Sequence, residues 1–141
     1  MNNMLLEVND LKVSFFTHLG EVQAVRNVSF CLKHGEILGV VGESGSGKSV
    51  TMKAIMSILQ SPGKVLNGSI LLNGTDILNM PEPDMREIRG NRISMIFQDP
   101  MTSLNPTMRI GDQIIDTICA HRPIGRKEAM KEAIELLRRI S

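Results

Sequence analysis

The sequence lacks several features on which whole classes of protein depend. It has no Trp, no Tyr and only four Phe, which leaves few aromatic rings for stacking on nucleic-acid bases. Its two cysteines, Cys31 and Cys119, are far apart and lack metal-ligand spacing, which favours core thiols in a reducing compartment over a disulfide. Sixteen Lys and Arg balance 15 Asp and Glu along the chain, so nucleic acid is unsupported as the main partner. The apolar runs are too short to span a bilayer, and no secretory signal is visible at the N-terminus.

A glycine-rich motif is the most informative feature that is present. Residues 42–49 match G-x-x-x-x-G-K-S completely. The eight residues are Gly42, Glu43, Ser44, Gly45, Ser46, Gly47, Lys48 and Ser49. The glycines let successive N–H groups point at phosphate oxygens, the lysine can reach the β- and γ-phosphates, and the final hydroxyl can ligate Mg²⁺. The pattern predicts a nucleotide-binding phosphate loop.

The residues on either side fit that loop. Residues 37–41 form a short apolar run after the turn at residues 34–35, as expected of a buried parallel strand. After the loop, Met52, Ile55, Met56 and Leu59 recur at helical spacing, and the Pro-Gly pair at residues 62–63 ends the run. The sequence therefore predicts a strand, a phosphate loop and a helix in that order.

The other predicted elements surround this unit. Strands are predicted over residues 5–8, 11–16, 25–32, 68–74 and 92–97, and helices over residues 82–89, from about residue 110 to Pro123, and from about residue 126. The last helix is predicted to bury one face and to carry an i,i+4 ion pair between Glu135 and Arg139 on the other. That buried face is Met130, Ala133, Ile134, Leu137 and Ile140.

The order of these motifs resembles the ATP-binding subunit of ABC transporters. The resemblance spans essentially the whole chain: an aromatic after the first strands, Gly-Glu before the phosphate-loop strand, GESGSGKS, then GSILLNGTDI and a strand that ends in Gln98. Residues 95–106, MIFQDPMTSLNP, look like the glutamine loop of the oligopeptide and dipeptide importer branch.

The resemblance implies roles for particular residues. The phosphate loop would hold ATP, with Lys48 and Gln98 as the catalytic residues of this chain. Ser49 and Gln98 would contact Mg²⁺, and Gln98 would also sense the γ-phosphate or the attacking water. Phe15 matches the position of the aromatic ring that stacks on adenine, although a plain core Phe is an equally good interpretation of the alternation. An Mg²⁺-binding role for Asp99 is a weaker alternative, and His121, before Pro123, is interpreted as a surface or capping residue.

The implied fold is α/β, a P-loop ABC ATPase core with an antiparallel β layer and the start of a helical subdomain, incomplete at the C-terminus. Residues 1–98 would hold the β layer, the phosphate loop and the glutamine-loop strand, and residues 99–141 would begin the helical subdomain of the same nucleotide-binding domain. The implied partners are transmembrane permease subunits, contacted by about residues 101–121, a second ATP-binding subunit, and indirectly a solute-binding protein. The subunit would lie peripherally on the cytoplasmic face of the membrane.

The chain departs from the family pattern at its end. The sequence contains no LSGGQ-like signature, no second apolar strand ending in Asp-Glu, and no switch histidine after a further strand. We therefore expect an N-terminal portion of a longer subunit, which alone binds nucleotide weakly at best and does not turn over ATP. The implied function is peptide import. The alternatives are a regulatory nucleotide-binding fragment without turnover, an importer for nickel or another small solute, and a different phosphate-loop enzyme such as a nucleotide kinase.

Overall fold

The computed structural model describes residues 3–98 and 103–140, and the chain divides into two compact units, residues 1–86 and 87–141. The elements in chain order are β1 (Met4–Thr17), β2 (Gly20–Lys33), α1 (Lys48–Ile55), β3 (Gly63–Leu72), β4 (Thr75–Asp76), α2 (Glu82–Ile88), α3 (Ile110–His121) and α4 (Arg126–Arg139).

The first unit is built on an antiparallel sheet with strand order β2-β1-β3-β4. The predicted antiparallel layer is therefore confirmed, and the two predicted segments 5–8 and 11–16 are one strand, β1. Apolar side chains on one face of the sheet form the core with residues that follow it. The buried set includes Val8, Leu11, Val13, Val25, Ile70, Leu72, Ala54, Ile55 and Ile77.

A local irregularity in the backbone of β1 explains why the sequence pattern predicts two strands there. Asp10 has φ 46°, and its N–H donates to Ser29 Oγ at 2.8 Å, while that hydroxyl donates to Asp10 Oδ1 at 3.2 Å. On the other side, Gly68 has φ +114°, and a Cβ there would lie 2.7 Å from the Asn9 carbonyl oxygen. Glycine thus lets β3 pass close to the bend in β1.

The observed helix after the phosphate loop is shorter than the helix that the apolar spacing predicts. Helix α1 ends at Ile55 with Met56 as its C-cap, and Ser57 has φ 53°. Leu59 therefore lies beyond the helix rather than on its face. A left-handed residue ends the helix well before the Pro-Gly pair at residues 62–63.

Two predicted strands are wrong for the chain as it is described. Neither residues 37–41 nor residues 92–97 form a strand, apart from a single bridge between Arg89 and Ile93. Ile37, Val41 and Ile96 expose 97%, 94% and 98% of their surface. A parallel strand is stable only when neighbouring strands supply its ladder, and the described sheet lies in other segments. The apolar pattern is present, but within the described residues neither segment forms a strand ladder beyond that bridge.

The second unit contains a helical hairpin whose predicted limits are confirmed. Helix α3 ends at His121, just before Pro123, and α4 begins at Arg126. Ile115 packs with Ala129 and Ala133, which are buried between the helices. The predicted buried face of α4 is correct only at Ala133, because the other four residues of that set are exposed. Small residues let two helix backbones approach, so the alanines rather than the larger side chains face α3.

Ion pairs flank the hairpin. Arg126 Nη1 lies 2.6 Å from Asp116 Oδ1, and Nη2 lies 3.5 Å from Asp112 Oδ1. Hydrogen bonding and charge from Asp116 raise the pKa of the Arg126 guanidinium above its usual value. The predicted pair of Glu135 and Arg139 is present at 3.0 Å. All of these groups are exposed, so each pair contributes little to stability.

Both cysteines are free thiols, but Cys31 is exposed and only Cys119 is partly buried, so the prediction of two core thiols is wrong for Cys31. His121 is exposed at the end of α3, and a Cβ on Gly90 would lie 2.5 Å from its Nε2, so the imidazole covers that turn. Among the described residues, no helix combines the length and the apolar character that crossing a membrane requires.

Candidate nucleotide-binding site

The backbone of residues 42–49 curls into a tight loop. Gly45 and Gly47 have φ +81° and +91°, a region that side chains other than glycine rarely adopt. The Ser46 N–H donates to the Glu43 carbonyl at 3.3 Å, which closes the curve. A Cβ on Gly42 would lie 2.8 Å from Ser46 Oγ, so the start of the loop lies close to its middle. Gly45 and Gly47 are thus needed for the backbone conformation of the loop.

Lys48 folds back into the centre of this loop. Its ammonium donates to the carbonyl oxygens of Gly42 at 2.6 Å and Glu43 at 2.7 Å, and to Ser46 Oγ at 3.2 Å. An ammonium has three N–H donors, and each of these distances suits one of them. The positive charge is therefore held at the centre of the loop, with oxygen acceptors that an anionic oxygen could replace.

The helix that follows points its positive end at the same place. Helix α1 begins at Lys48, and its N-cap Gly47 contributes no side-chain hydrogen bond. The start of the helix is fixed by Thr51, which is buried and donates from Oγ1 and N to the Gly47 carbonyl at 3.0 and 2.9 Å. Ser49 lies in the first turn and is exposed. Backbone N–H groups and the helix dipole there favour an anion.

A contact with the sheet holds the loop in place. A Cβ on Gly47 would lie only 2.4 Å from the Ala24 carbonyl oxygen and 3.5 Å from Val25 Cγ2. Ala24 sits where the β1–β2 register shifts between the Val13–Val25 and Ser14–Gln23 pairs. Sequence reasoning missed Ala24, because nothing in the local pattern marks a bulge at that alanine. It also missed Thr51, which stands four residues after Gly47, the spacing of a helical hydrogen bond.

A groove of about 770 Å³ opens over the loop. Its walls come from β2 between Gln23 and Phe30 and from residues 38–48 with the start of α1. The groove combines a curled backbone, one lysine ammonium and a helix N-terminus, which is the donor set that binds phosphate groups. The residues present therefore fit a nucleotide phosphate chain.

Phe15 and Gln98 are the two predicted nucleotide contacts outside the loop. The Phe15 ring is half-buried on β1 and lies against β3, since a Cβ on Gly63 would be 2.8 Å from Phe15 Cε1. Gln98 belongs to the second unit and is exposed. Asp99, the alternative metal residue, falls outside the described residues. The adenine-stacking role of Phe15 and the Mg²⁺-binding role of Gln98 stay predictions.

The chain is similar in sequence to ATP-binding proteins of oligopeptide and dipeptide transport. The chain is 50% identical over 135 residues to the oligopeptide transport ATP-binding protein OppD of Salmonella typhimurium, covering 96% of this chain and 40% of the relative. It is 54% identical over 134 residues to OppD of Bacillus subtilis, covering 94% of this chain and 37% of the relative. The dipeptide transport ATP-binding protein DppD of Lactococcus lactis is 49% identical over 137 residues, with coverage of 96% and 39%. The chain thus spans about 40% of the length of these relatives.

Solved structures share the fold at lower identity. The dimeric ATP-binding cassette MJ0796, in a post-hydrolysis state bound to ADP and Pi, matches with a TM-score of 0.77 at 19% identity, over 94% of this chain and 56% of that chain. Another dimeric structure of this bacterial ABC transporter cassette matches with a TM-score of 0.75 at 21% identity, with the same coverage. The model of the ABC transporter family matches residues 25–141. The chain, with its phosphate loop between an antiparallel sheet and α1, belongs to the ABC transporter family.

Proposed function

We propose that this chain is the nucleotide-binding part of an ATP-binding subunit that powers peptide import through a membrane permease. The observation that carries the proposal is the phosphate loop, with Lys48 at its centre and the N-terminus of α1 behind it. The names of the relatives, oligopeptide and dipeptide transport ATP-binding proteins, support peptides as the transported solute.

In this proposal the loop residues Gly42–Ser49 hold the phosphates of ATP. Lys48 exchanges its loop carbonyl acceptors for phosphate oxygens, and the α1 N-terminus faces the same negative charge. Ser49 and Gln98 are the candidate ligands of Mg²⁺, and Phe15 is the candidate ring for adenine. Bound Mg²⁺ would neutralise charge that develops on the phosphates.

The proposed partners follow from the same assignment. Permease subunits would be moved by this subunit, and a second ATP-binding subunit would complete the nucleotide site. A solute-binding protein would deliver the peptide. The subunit would work at the cytoplasmic face of the membrane without spanning it.

We also propose that the 141 residues alone bind ATP without hydrolysing it. The sequence contains no second apolar strand ending in Asp-Glu and no LSGGQ-like signature. Phosphoryl transfer to water needs a positioned water as well as a phosphate cradle. Mg²⁺-dependent turnover by these residues, abolished in Lys48→Ala, would overturn this part of the proposal.

Peptide uptake tests the function directly. In cells whose peptide uptake depends on the transport protein that contains this chain, we expect Lys48→Ala to lower uptake about a hundredfold or more, as loss of a phosphate-stabilising charge does. The matched control is Lys53→Ala, which removes the same charge from the same helix outside the loop. Equal uptake in both variants would contradict the role of the loop. Lys48-dependent uptake of nickel in place of peptide would support the role as a transport ATPase but contradict peptides as the transported solute.

A further inference from the structure

Thr51 is a polar residue on the buried face of α1. It is 6% exposed, and Ala54 and Ile55, three and four residues further along the same face, are 2% and 4% exposed. An apolar side chain would suit such a position, whereas a buried hydroxyl needs a hydrogen-bond partner. The Thr51 hydroxyl has this partner in the Gly47 carbonyl oxygen, at 3.0 Å.

The Gly47 carbonyl accepts two hydrogen bonds from this one residue. The Thr51 N–H donates to it at 2.9 Å, in addition to the hydroxyl. A backbone carbonyl oxygen has two lone pairs, so both are used. Gly47 also lies against the sheet, since a Cβ there would be 2.4 Å from the Ala24 carbonyl oxygen. Gly47 is therefore in contact with both the sheet and α1.

The direction of this carbonyl also sets the direction of an N–H group. The Gly47 C=O and the Lys48 N–H belong to one planar trans peptide group, in which they point in opposite directions. The carbonyl points along α1 toward Thr51, so the Lys48 N–H points away from the helix. The first N–H groups of a helix have no acceptor within it and are the ones that bind an anion. The Thr51 hydroxyl therefore helps to fix the direction of a donor that is available to phosphate.

We infer that Thr51 is a positioning residue for ATP, because its hydroxyl holds the peptide group between Gly47 and Lys48 in the direction that suits phosphate binding. The inference rests on the proposed function, which supplies ATP as the ligand. Thr51 itself is buried and acts only through this peptide group. A donor that is already ordered binds its ligand without the entropy cost of being ordered in the complex, so the hydroxyl acts on the affinity for ATP.

The test compares variants of Thr51 in the complete transporter that contains this chain. Thr51→Val keeps a branched side chain without the hydroxyl, Thr51→Ala removes the hydroxyl with less bulk, and Thr51→Ser restores the hydroxyl. The matched control is Thr117→Val on α3, which removes the same kind of bond, from the Thr117 hydroxyl to the Gln113 carbonyl at 2.9 Å. Calorimetry without Mg²⁺, which prevents hydrolysis, gives the Kd of ATP, and a steady-state assay with Mg²⁺ gives kcat and KM.

We expect Thr51→Val and Thr51→Ala to raise the Kd and the KM for ATP about fivefold, as the loss of one hydrogen bond implies. The kcat at saturating ATP should change by less than about twofold, because the lost interaction acts on binding in the ground state and the transition state alike. Thr51→Ser and Thr117→Val should leave the Kd and the KM close to their wild-type values.

An unchanged Kd in both hydroxyl-free variants would overturn the inference, as would a raised Kd that Thr51→Ser does not restore or that Thr117→Val shares. A failure of both hydroxyl-free variants to fold would also overturn it, because the hydroxyl would then serve the fold rather than the nucleotide. In each of these cases, ATP binding that depends on Lys48 would leave the proposed function standing. A wild-type transporter that binds no ATP would overturn the proposed function, and the inference would fall with it.

Discussion

Gly47 combines two requirements at one residue. It has φ +91°, and a Cβ there would lie 2.4 Å from the backbone oxygen of Ala24, whereas Gly45 has φ +81° with nothing within 4 Å of its Cβ position. We expect Gly47→Ala to lower the free energy of unfolding by about 2–4 kcal/mol, and Gly45→Ala by about 1–2 kcal/mol for the left-handed backbone alone. Urea unfolding of both variants measures the difference. Equal losses would show that the contact with β2 does not hold the loop.

At this scale the sequence predicted the residues of the loop but not all of their surroundings. Lys48 and the glycines are recognisable because the motif fixes them at set spacings. Ala24 could not be predicted, since its role comes from a register shift between β1 and β2 rather than from its own chemistry. The ring of Phe15 lies against Gly63, a contact that alternation along β1 does not reveal.

The hairpin of α3 and α4 depends on a small buried cluster. Ile115 is 2% exposed against Ala129 and Ala133, whereas Ile110 on the same helix is 55% exposed. We expect Ile115→Ala to lower the free energy of unfolding of this unit by about 2–4 kcal/mol because of the cavity it leaves, and Ile110→Ala by less than about 1 kcal/mol. Thermal unfolding followed by circular dichroism checks this. A similar loss in both variants would contradict the packing described for the hairpin.

The helices and strands differ in how far their local sequence predicts them. The limits of α3 and α4 were predictable because apolar spacing and Pro123 are local signals. The state of residues 37–41 was not, because a buried parallel strand depends on ladder partners far away in the sequence. The same dependence explains residues 92–97. The exposed face of α4 was missed because spacing alone does not say which of two apolar stripes faces the neighbouring helix.

The whole 141-residue chain carries two apolar segments that its described sheet does not cover. Ile37 and Ile96 are almost fully exposed within runs that have strand-forming composition. Such segments pair with other chains. We therefore expect the isolated chain to self-associate as its concentration rises, and Ile37→Lys to weaken this association because a charge in the run opposes pairing.

The control for self-association is Leu19→Lys. Leu19 is also exposed, but it lies in the turn between β1 and β2 rather than in an uncovered run. Sedimentation velocity at several concentrations should show less association for Ile37→Lys and no change for Leu19→Lys. A chain that stays monomeric at all concentrations, or two variants that behave alike, would contradict this account of the uncovered segments.

Direct binding of ATP to the 141-residue chain tests the central claim most directly. Calorimetric titration with Mg²⁺ and ATP should show weak binding that Lys48→Ala removes and that Lys53→Ala retains, because only Lys48 lies within the loop. Binding that survives in Lys48→Ala, or that both variants lose equally, would contradict the assignment of residues 42–49 as the nucleotide site.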